Sequence, residues 1–377
     1  MKNFSVRFCT FILSITLLAG AIPMAMADSS LPSVSAKSAV LAEGSTGKII
    51  WSKNGDERLP MASTTKIMTA LVAIENSDDL TRPVKISPDA CGIEGSSVYL
   101  KEGEKLTLEQ LLYALLLESA NDSACAIAIE IAGSLEKFAD MMNGTAERIG
   151  MVDSHFTNPH GLDDEEHYTT AADMARLAVH ALNNEDFARI VSTYKTTIPM
   201  NGDEGTRLLL NHNKMLKYYD GAIGVKTGFT KRSGRCLVSA AERDGVRMIA
   251  VTLSAPDDWN DHKSMLDFGF SRYKHITLVE AGSVNHSIPV TGSTSDCISI
   301  SNRDAIEVTL PTDAPDVKCT VEAPRFAIAP VNEGDILGYA VFRTGNEELA
   351  KVPLYAVTGC DAKENPSLWR RILDLYK

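Results

Sequence analysis

The sequence predicts an α+β fold: an antiparallel five-stranded sheet interrupted by a helical lobe, then a small all-β domain and a terminal amphipathic helix. Three observations carry this. Two β-type segments near the N-terminus and three more over residues 222–255 flank a long stretch of helical periodicity. After about residue 280 the chain turns to short alternating segments punctuated by Pro, Gly and Asn. The last residues return to helical spacing.

The first 27 residues stand apart. Lys2 and Arg7 precede an apolar run of about 15 residues, and Ala25 and Ala27 suit cleavage before Asp28, the layout of a secretory signal. The run is shorter than the roughly 20 residues that span a bilayer, so an exported chain is expected rather than an anchored one. About 350 residues remain, enough for two domains. We expect residues 28–278 to form the first, 279–364 the β-rich second, and 365–377 the helical tail. A formal charge of −12 argues against nucleic acid as a partner.

Residues 37–52 read as two strands joined by a Gly-rich turn at 44–47. Ile67, Met68, Leu71, Val72 and Ile74 then recur at helical spacing with Ala between them, so this helix is apolar nearly all round and belongs in the body of a domain. Residues 77–105 are turn-rich. Thr107 and Gln110 form a capping-box pattern ahead of the next helix, and "DSACAIAIEIAGS" reads as another that ends at Gly133. Residues 119–123, "SANDS", connect the two. "TNPHGLDDEEHY" is a polar loop, Thr170 and Asp173 head a helix through Leu182, and a further helix precedes Ser192. Three antiparallel strands follow from Ala222, with turns at 231–234 and Asp244-Gly245, and a helix over about 260–273 closes the domain.

Six cysteines lie beyond the signal. No Cys-x-x-Cys spacing appears, so redox and zinc motifs are unsupported. Cys125 and Cys236 sit in apolar runs and should pack as small hydrophobes. A Cys297–Cys319 bridge is one option that spacing alone leaves open.

The chemistry concentrates in three short motifs. Ser-x-x-Lys occurs five times, at Ser45, Ser63, Ser134, Ser192 and Ser271, but only Ser63 heads a nearly all-apolar helix. There, residues three apart share a face, so the Lys66 amine can reach the Ser63 hydroxyl. A serine hydroxyl needs a base, and a lysine serves as one only if burial or a neighbouring cation depresses its pKa. Ser119-Ala120-Asn121 lies on an inter-helix connection, where both polar side chains can enter one cleft. Lys226-Thr227-Gly228 occurs once, on an expected edge strand. Its Gly permits close approach of an extended substrate, Thr227 can donate to a carboxylate, and Lys226 offers the second cation.

Ser63-Thr-Thr-Lys66, Ser119-Ala-Asn121 and Lys226-Thr-Gly228, in that order, resemble the three signatures of penicillin-binding proteins and serine β-lactamases. Their spacing, about 55 and then about 105 residues, resembles that of the low-molecular-mass D-alanyl-D-alanine carboxypeptidases. So do the flanks "LPMASTTKIMTAL", "NPHGLDDEEHYTTAADMARLA" and "GVKTGFTKRSGRCLVSAA", the signal, the β-rich second domain and the terminal helix.

The resemblance implies a β-lactamase/transpeptidase-like catalytic domain and a serine peptidase of peptidoglycan stem peptides ending in D-Ala-D-Ala. Ser63 would be the acylated nucleophile, Lys66 its base and Ser119 a proton relay to the leaving D-alanine. Lys226 would tune the network, Asn121 would bind a peptide carbonyl, and Thr227 beside Gly228 the terminal carboxylate. The N–H groups of Ser63 and Phe229 would form the oxyanion hole. β-Lactams would act as covalent inhibitors, and no metal or cofactor is implied. Some members carry an arginine directly after the Gly-Phe of the closing helix. Here Ser271 follows Gly269-Phe270 and Arg272 comes one later, an offset of about 100° around a helix, so Arg272 is left out of the site.

Competing readings are weaker. His160 in "NPHGL" tempts as a base, but a loop histidine holding backbone groups suits chemistry that already has its lysine. Asp173 suits a structural cap. Glu165 and Glu166 lack the companion Asn of a deacylating glutamate, which argues against a β-lactamase. A DD-endopeptidase stays open, and a non-catalytic penicillin sensor would not need the full proton-transfer set. Leu368, Trp369, Ile372, Leu373 and Tyr376 with Arg370, Arg371 and Lys377 suit either peripheral membrane contact through 367–377 or packing of the tail on the β domain.

Overall fold

The computed structural model describes residues 31–200 and 205–363. The expected signal over 1–27 and the tail over 365–377 lie outside the described residues.

Strands β1 (Ser38–Glu43) and β2 (Ile49–Lys53) form the N-terminal hairpin. A 3-10 turn, Ala62–Thr65, leads into α1 (Lys66–Glu75), in which every residue from Lys66 to Ile74 is buried, as its all-round apolar pattern requires. A two-stranded ladder of β3 (Pro83–Lys85) and β4 (Lys105–Thr107) precedes α2 (Leu108–Leu117). The capping box forms: the Gln110 N–H donates to Thr107 Oγ1 at 3.1 Å, and the Thr107 N–H donates to Gln110 Oε1 at 2.9 Å. Helix α3 (Asn121–Ala132) stops at Gly133, whose φ of 81° is the left-handed cap that glycine takes most cheaply.

Helix α4 (Leu135–Arg148) is not among the expected elements. Its buried Phe138, Ala139, Met142, Thr145 and Ala146 follow helical spacing between polar residues. Ser134 caps it, accepting from the Lys137 N–H at 3.2 Å, which explains one of the four other Ser-x-x-Lys pairs. Helix α5 (Ala171–Leu182) starts at Thr170, whose hydroxyl accepts from the Asp173 N–H, and α6 (Glu185–Ser192) follows. A hairpin of β5 (Lys195–Pro199) and β6 (Thr206–Leu210) and one helical turn, α7 (Met215–Tyr218), also go beyond the sequence expectation.

The chain then returns to the main sheet through β7 (Ala222–Thr230), β8 (Gly234–Arg243) and β9 (Val246–Leu253), before α8 (Asp258–Arg272). The five strands run β2-β1-β9-β8-β7, each pair antiparallel, so the expected sheet is present and β7 is its edge. Strand periodicity sorts the side chains into two cores. Val40 and Ala42 join the core shared with the helical lobe, while Ala39 and Leu41 join a second core with Met265 and Leu266 of α8. Both faces of β1 are therefore covered, and all six of its residues are buried.

Strand β10 (Tyr273–Val279) continues directly from α8. It is followed by β11 (Asn285–Thr291), β12 (Cys297–Ser301), β13 (Ile306–Pro311), β14 (Val317–Glu322), β15 (Ala327–Ile328), β16 (Ile336–Thr344) and β17 (Glu347–Ala356). β10 pairs with β13, and the others form a six-stranded sheet ordered β14-β16-β17-β12-β11-β15 around its own core of Ile288, Ile300, Ala340 and Leu354. This order rules out the Cys297–Cys319 bridge. Two strands stand between β12 and β14, roughly 14 Å at the usual strand spacing, beyond what a disulfide spans. Both cysteines are free and exposed, whereas Cys125 and Cys236 are free and buried, as expected.

Candidate active site

The three motifs meet where the 3-10 turn, the start of α3 and the edge strand β7 converge. Ser63 lies in the 3-10 turn and Lys66 is the first residue of α1, so the two share one turn. Lys66 Nζ stands 2.9 Å from Ser63 Oγ. The same nitrogen donates to Asn121 Oδ1 at 2.7 Å and to the His160 backbone carbonyl at 2.6 Å. Lys66 is 0% exposed, and burial holds its amine well below the ordinary lysine range, helped next by the charge of Lys226.

Ser119 immediately precedes Ala120, the N-cap of α3, and it is buried with its side chain at the cleft. Its φ of 60° and the 48° of Ala62, next to Ser63, are left-handed values in non-glycine residues. Each costs on the order of 1 kcal/mol, and both fall beside a candidate reacting hydroxyl. Asn121 is buried, and its Nδ2 donates to the Glu94 carbonyl at 2.5 Å, so its amide ties Lys66 to the loop before α2.

On β7, Thr227, Gly228 and Phe229 line the cleft, and Phe229 is largely exposed. Lys226 points inward, with Nζ donating to the Thr227 carbonyl at 2.9 Å. Burial pushes its pKa down to about 7, with Glu118 acting in the opposite direction. Gly228 is required by close approach, since a Cβ there would meet the Ser63 nitrogen at 3.0 Å and the Thr64 nitrogen at 3.1 Å. The strand thus runs against the turn that carries Ser63.

The loop 157–162 braces the back of the site. Asn158 Oδ1 accepts from the Gly161 N–H at 2.7 Å, and Asn158 Nδ2 donates to the Leu162 carbonyl at 3.1 Å. The His160 ring accepts from the Leu162 N–H at 3.2 Å, and burial pushes its pKa down to about 3. His167 donates to Thr65 Oγ1 at 2.8 Å while its Nδ1 accepts from the Thr157 N–H at 3.0 Å, an arrangement in which the Thr65 hydroxyl is left to bond the Ala62 carbonyl. Sequence reasoning gave His167 no role. Its partner Thr65 lies 102 residues earlier in the chain, so no local motif reveals the contact.

The cleft has a volume of about 350 Å³. Besides Ser63, Ser119 and the β7 residues, it is lined by Ser96, His212 and Lys214 on one side and by Arg235, Asp258 and Trp259 on the other. None of these six was singled out from sequence. Arg235 was legible only through register, since the turn at 231–234 places it opposite Phe229. Arg272 stays outside the cleft, its guanidinium 5.4 Å from the Phe268 ring. Glu165 and Glu166 are exposed, and the Asp173 carboxylate bonds Arg176, Ser154 Oγ and the Asp153 N–H, so it holds structure.

Comparisons with known proteins identify the family. A family profile described as D-alanyl-D-alanine carboxypeptidase matches residues 25–257, and one for the penicillin-binding protein 5 C-terminal domain matches residues 273–359. The D-alanyl-D-alanine carboxypeptidase DacF of Bacillus subtilis is 35% identical over 330 residues, covering 85% of each chain. Penicillin-binding protein 5 of Haemophilus influenzae superposes with a TM-score of 0.70 at 26% identity, over 88% of this chain and 99% of its own. A peptidoglycan synthesis regulatory factor (PBP3) of Streptococcus pneumoniae gives a TM-score of 0.75 at 25% identity, over 87% of this chain and 100% of its own. With the motifs, the fold and both halves of the sequence in agreement, the chain belongs to the D-alanyl-D-alanine carboxypeptidase family.

Proposed function

We propose that Ser63 is the nucleophile with which this serine-type D-Ala-D-Ala carboxypeptidase cleaves peptidoglycan stem peptides, and that neutral Lys66 is its base. One observation carries the assignment. A neutral amine has two N–H groups and one lone pair; Asn121 Oδ1 and the His160 carbonyl accept the two N–H groups, which leaves the lone pair for the Ser63 hydroxyl.

Ser63 Oγ attacks the carbonyl of the penultimate D-alanine as its proton passes to Lys66. Charge on the carbonyl oxygen is met by the N–H groups of Ser63 and Phe229. The proton reaches the leaving D-alanine nitrogen through Ser119, with Lys226 supplying the cation of that network. Water then attacks the acyl-enzyme and releases the tetrapeptide stem. Asn121 and Thr227, with Gly228 allowing close approach, hold the stem. β-Lactams acylate the same Ser63.

The substrate places the enzyme outside the cytoplasm. We further infer removal of residues 1–27, a catalytic domain over 28–278, a β-rich domain over 279–364, and peripheral contact of residues 367–377 with the outer face of the membrane. The deciding experiment incubates the purified protein with a stem pentapeptide and quantifies free D-alanine, beside Ser63→Ala. Release from the wild type alone supports the assignment, and equal release from both overturns it. A liposome sedimentation assay in which deletion of 367–377 changes nothing would remove the membrane contact.

A further inference from the structure

With Arg272 outside the cleft, the structure leaves open which cation meets the substrate's terminal carboxylate. We propose that Arg235 reads that carboxylate, held in place by Asp258 and Trp259. Arg235 stands near the start of β8, directly opposite Phe229 of β7. Its side chain therefore leaves the sheet on the same face as Thr227, one diagonal step away, a separation that long side chains bridge. It lines the cleft with Ser63 and Thr227.

The guanidinium is anchored rather than loose. Nη2 lies 2.9 Å from Asp258 Oδ1, with the Asp258 side chain 3% exposed and that of Arg235 43% exposed. The Trp259 N–H donates to the same Oδ1 at 3.0 Å, and the Trp259 ring centroid lies 5.7 Å from the guanidinium carbon. Beyond Asp258, the Arg235 side chain makes no hydrogen bond among the described residues. The rest of its planar fork is therefore available, and such a fork matches a carboxylate. Lys214 is the competing cation on the cleft wall, but it is exposed and makes no ion pair among the described residues. Asp258 acts through Arg235 and is a positioning residue.

The inference rests on Ser63 as nucleophile, and the test separates the two. A stem pentapeptide ending in D-Ala-D-Ala and its C-terminal carboxamide are compared by kcat/KM. The wild type should prefer the acid, and Arg235→Ala should bring the acid-to-amide ratio towards one, a loss of about 30- to 100-fold in the ratio. Arg235→Lys, which keeps the charge and can keep the Asp258 contact, should fall between. Asp258→Asn should raise KM for the acid more than it lowers kcat. An unchanged ratio in Arg235→Ala, or a collapse in Lys214→Ala instead, overturns the assignment. Mass spectrometry after prolonged exposure to excess penicillin reports on Ser63 in each variant. Labelled Ser63 with an unchanged ratio defeats Arg235 alone, whereas no label on Ser63 in the wild type defeats the nucleophile.

Discussion

The backbone carbonyl of His160 accepts a hydrogen bond from Lys66 Nζ at 2.6 Å, so this histidine meets the proposed base through its main chain. Its ring is spent on the Leu162 N–H, and burial pushes its pKa far below the ordinary range. It cannot also be the base that titrates near neutrality.

His160→Asn tests this. A ring pushed down to about 3 stays neutral throughout the working range, so no limb of the pH profile belongs to it. The substitution should lower kcat/KM by less than about tenfold and leave the acid limb where it was. A limb that vanishes in the variant would make His160 the base.

Lys66→Met removes the proposed base and the donor to Asn121 Oδ1 and the His160 carbonyl. Loss of a positioned base costs about 10²- to 10⁴-fold, so both D-alanine release and the rate of penicillin acylation should fall by that range. A melting curve beside the kinetics shows whether the protein remains folded. Retention of the acylation rate in the folded variant would rule out Lys66.

The Lys226 charge depresses Lys66, so its removal has a definite sign. In the proposed mechanism Lys66 works as the neutral amine, so activity should rise with pH through its pKa. In Lys226→Met that depression is lost, the Lys66 pKa rises, and the acid limb of kcat/KM should move to higher pH. The variant should therefore lose most at low pH and recover partly as pH increases. The wild-type limbs belong to the pair, since both lysines are buried and interact. A limb that stays fixed or moves down would show that Lys226 does not act on Lys66.

The sheet and the main helices were legible because their signals are local. The all-round apolar run of α1, the capping box at Thr107 and the alternation in β7 to β9 each use contiguous residues. Helix α4 was missed because its narrow stripe is completed by Thr145, which reads as surface, and because Gly144 lies within it. The candidate set at the cleft was legible through three motifs whose order and spacing are unusual, although Ser-x-x-Lys alone was not. The cleft wall was hidden for a different reason. Arg235 and Asp258 lie 23 residues apart, and only the pairing of β7 with β8 and the start of α8 brings them to Thr227. Asn121 shows the reverse limit: its motif was visible, but its bonds to Lys66 and the Glu94 carbonyl depend on packing.

Gly161 is where the brace loop touches the turn that carries Ser63. A Cβ there would lie 2.0 Å from the Ala62 oxygen and 3.0 Å from the Ser63 nitrogen, and its φ of +87° disfavours any other residue. Both obstacles are backbone atoms, which cannot rotate away as a side chain does. Gly161→Ala should therefore destabilise the fold by at least about 2 kcal/mol and displace the turn, lowering penicillin acylation about 100-fold. Gly150 offers the matched control, with a φ of +77° but only the flexible Arg176 side chain within reach, at 3.7 Å. Gly150→Ala should cost about 1 kcal/mol and leave acylation unchanged. Melting temperatures and acylation rates of the two variants, measured side by side, separate strain at any left-handed glycine from the close contact that fixes Ser63. Equal effects from both substitutions would show that the contact with Ala62 carries no functional weight.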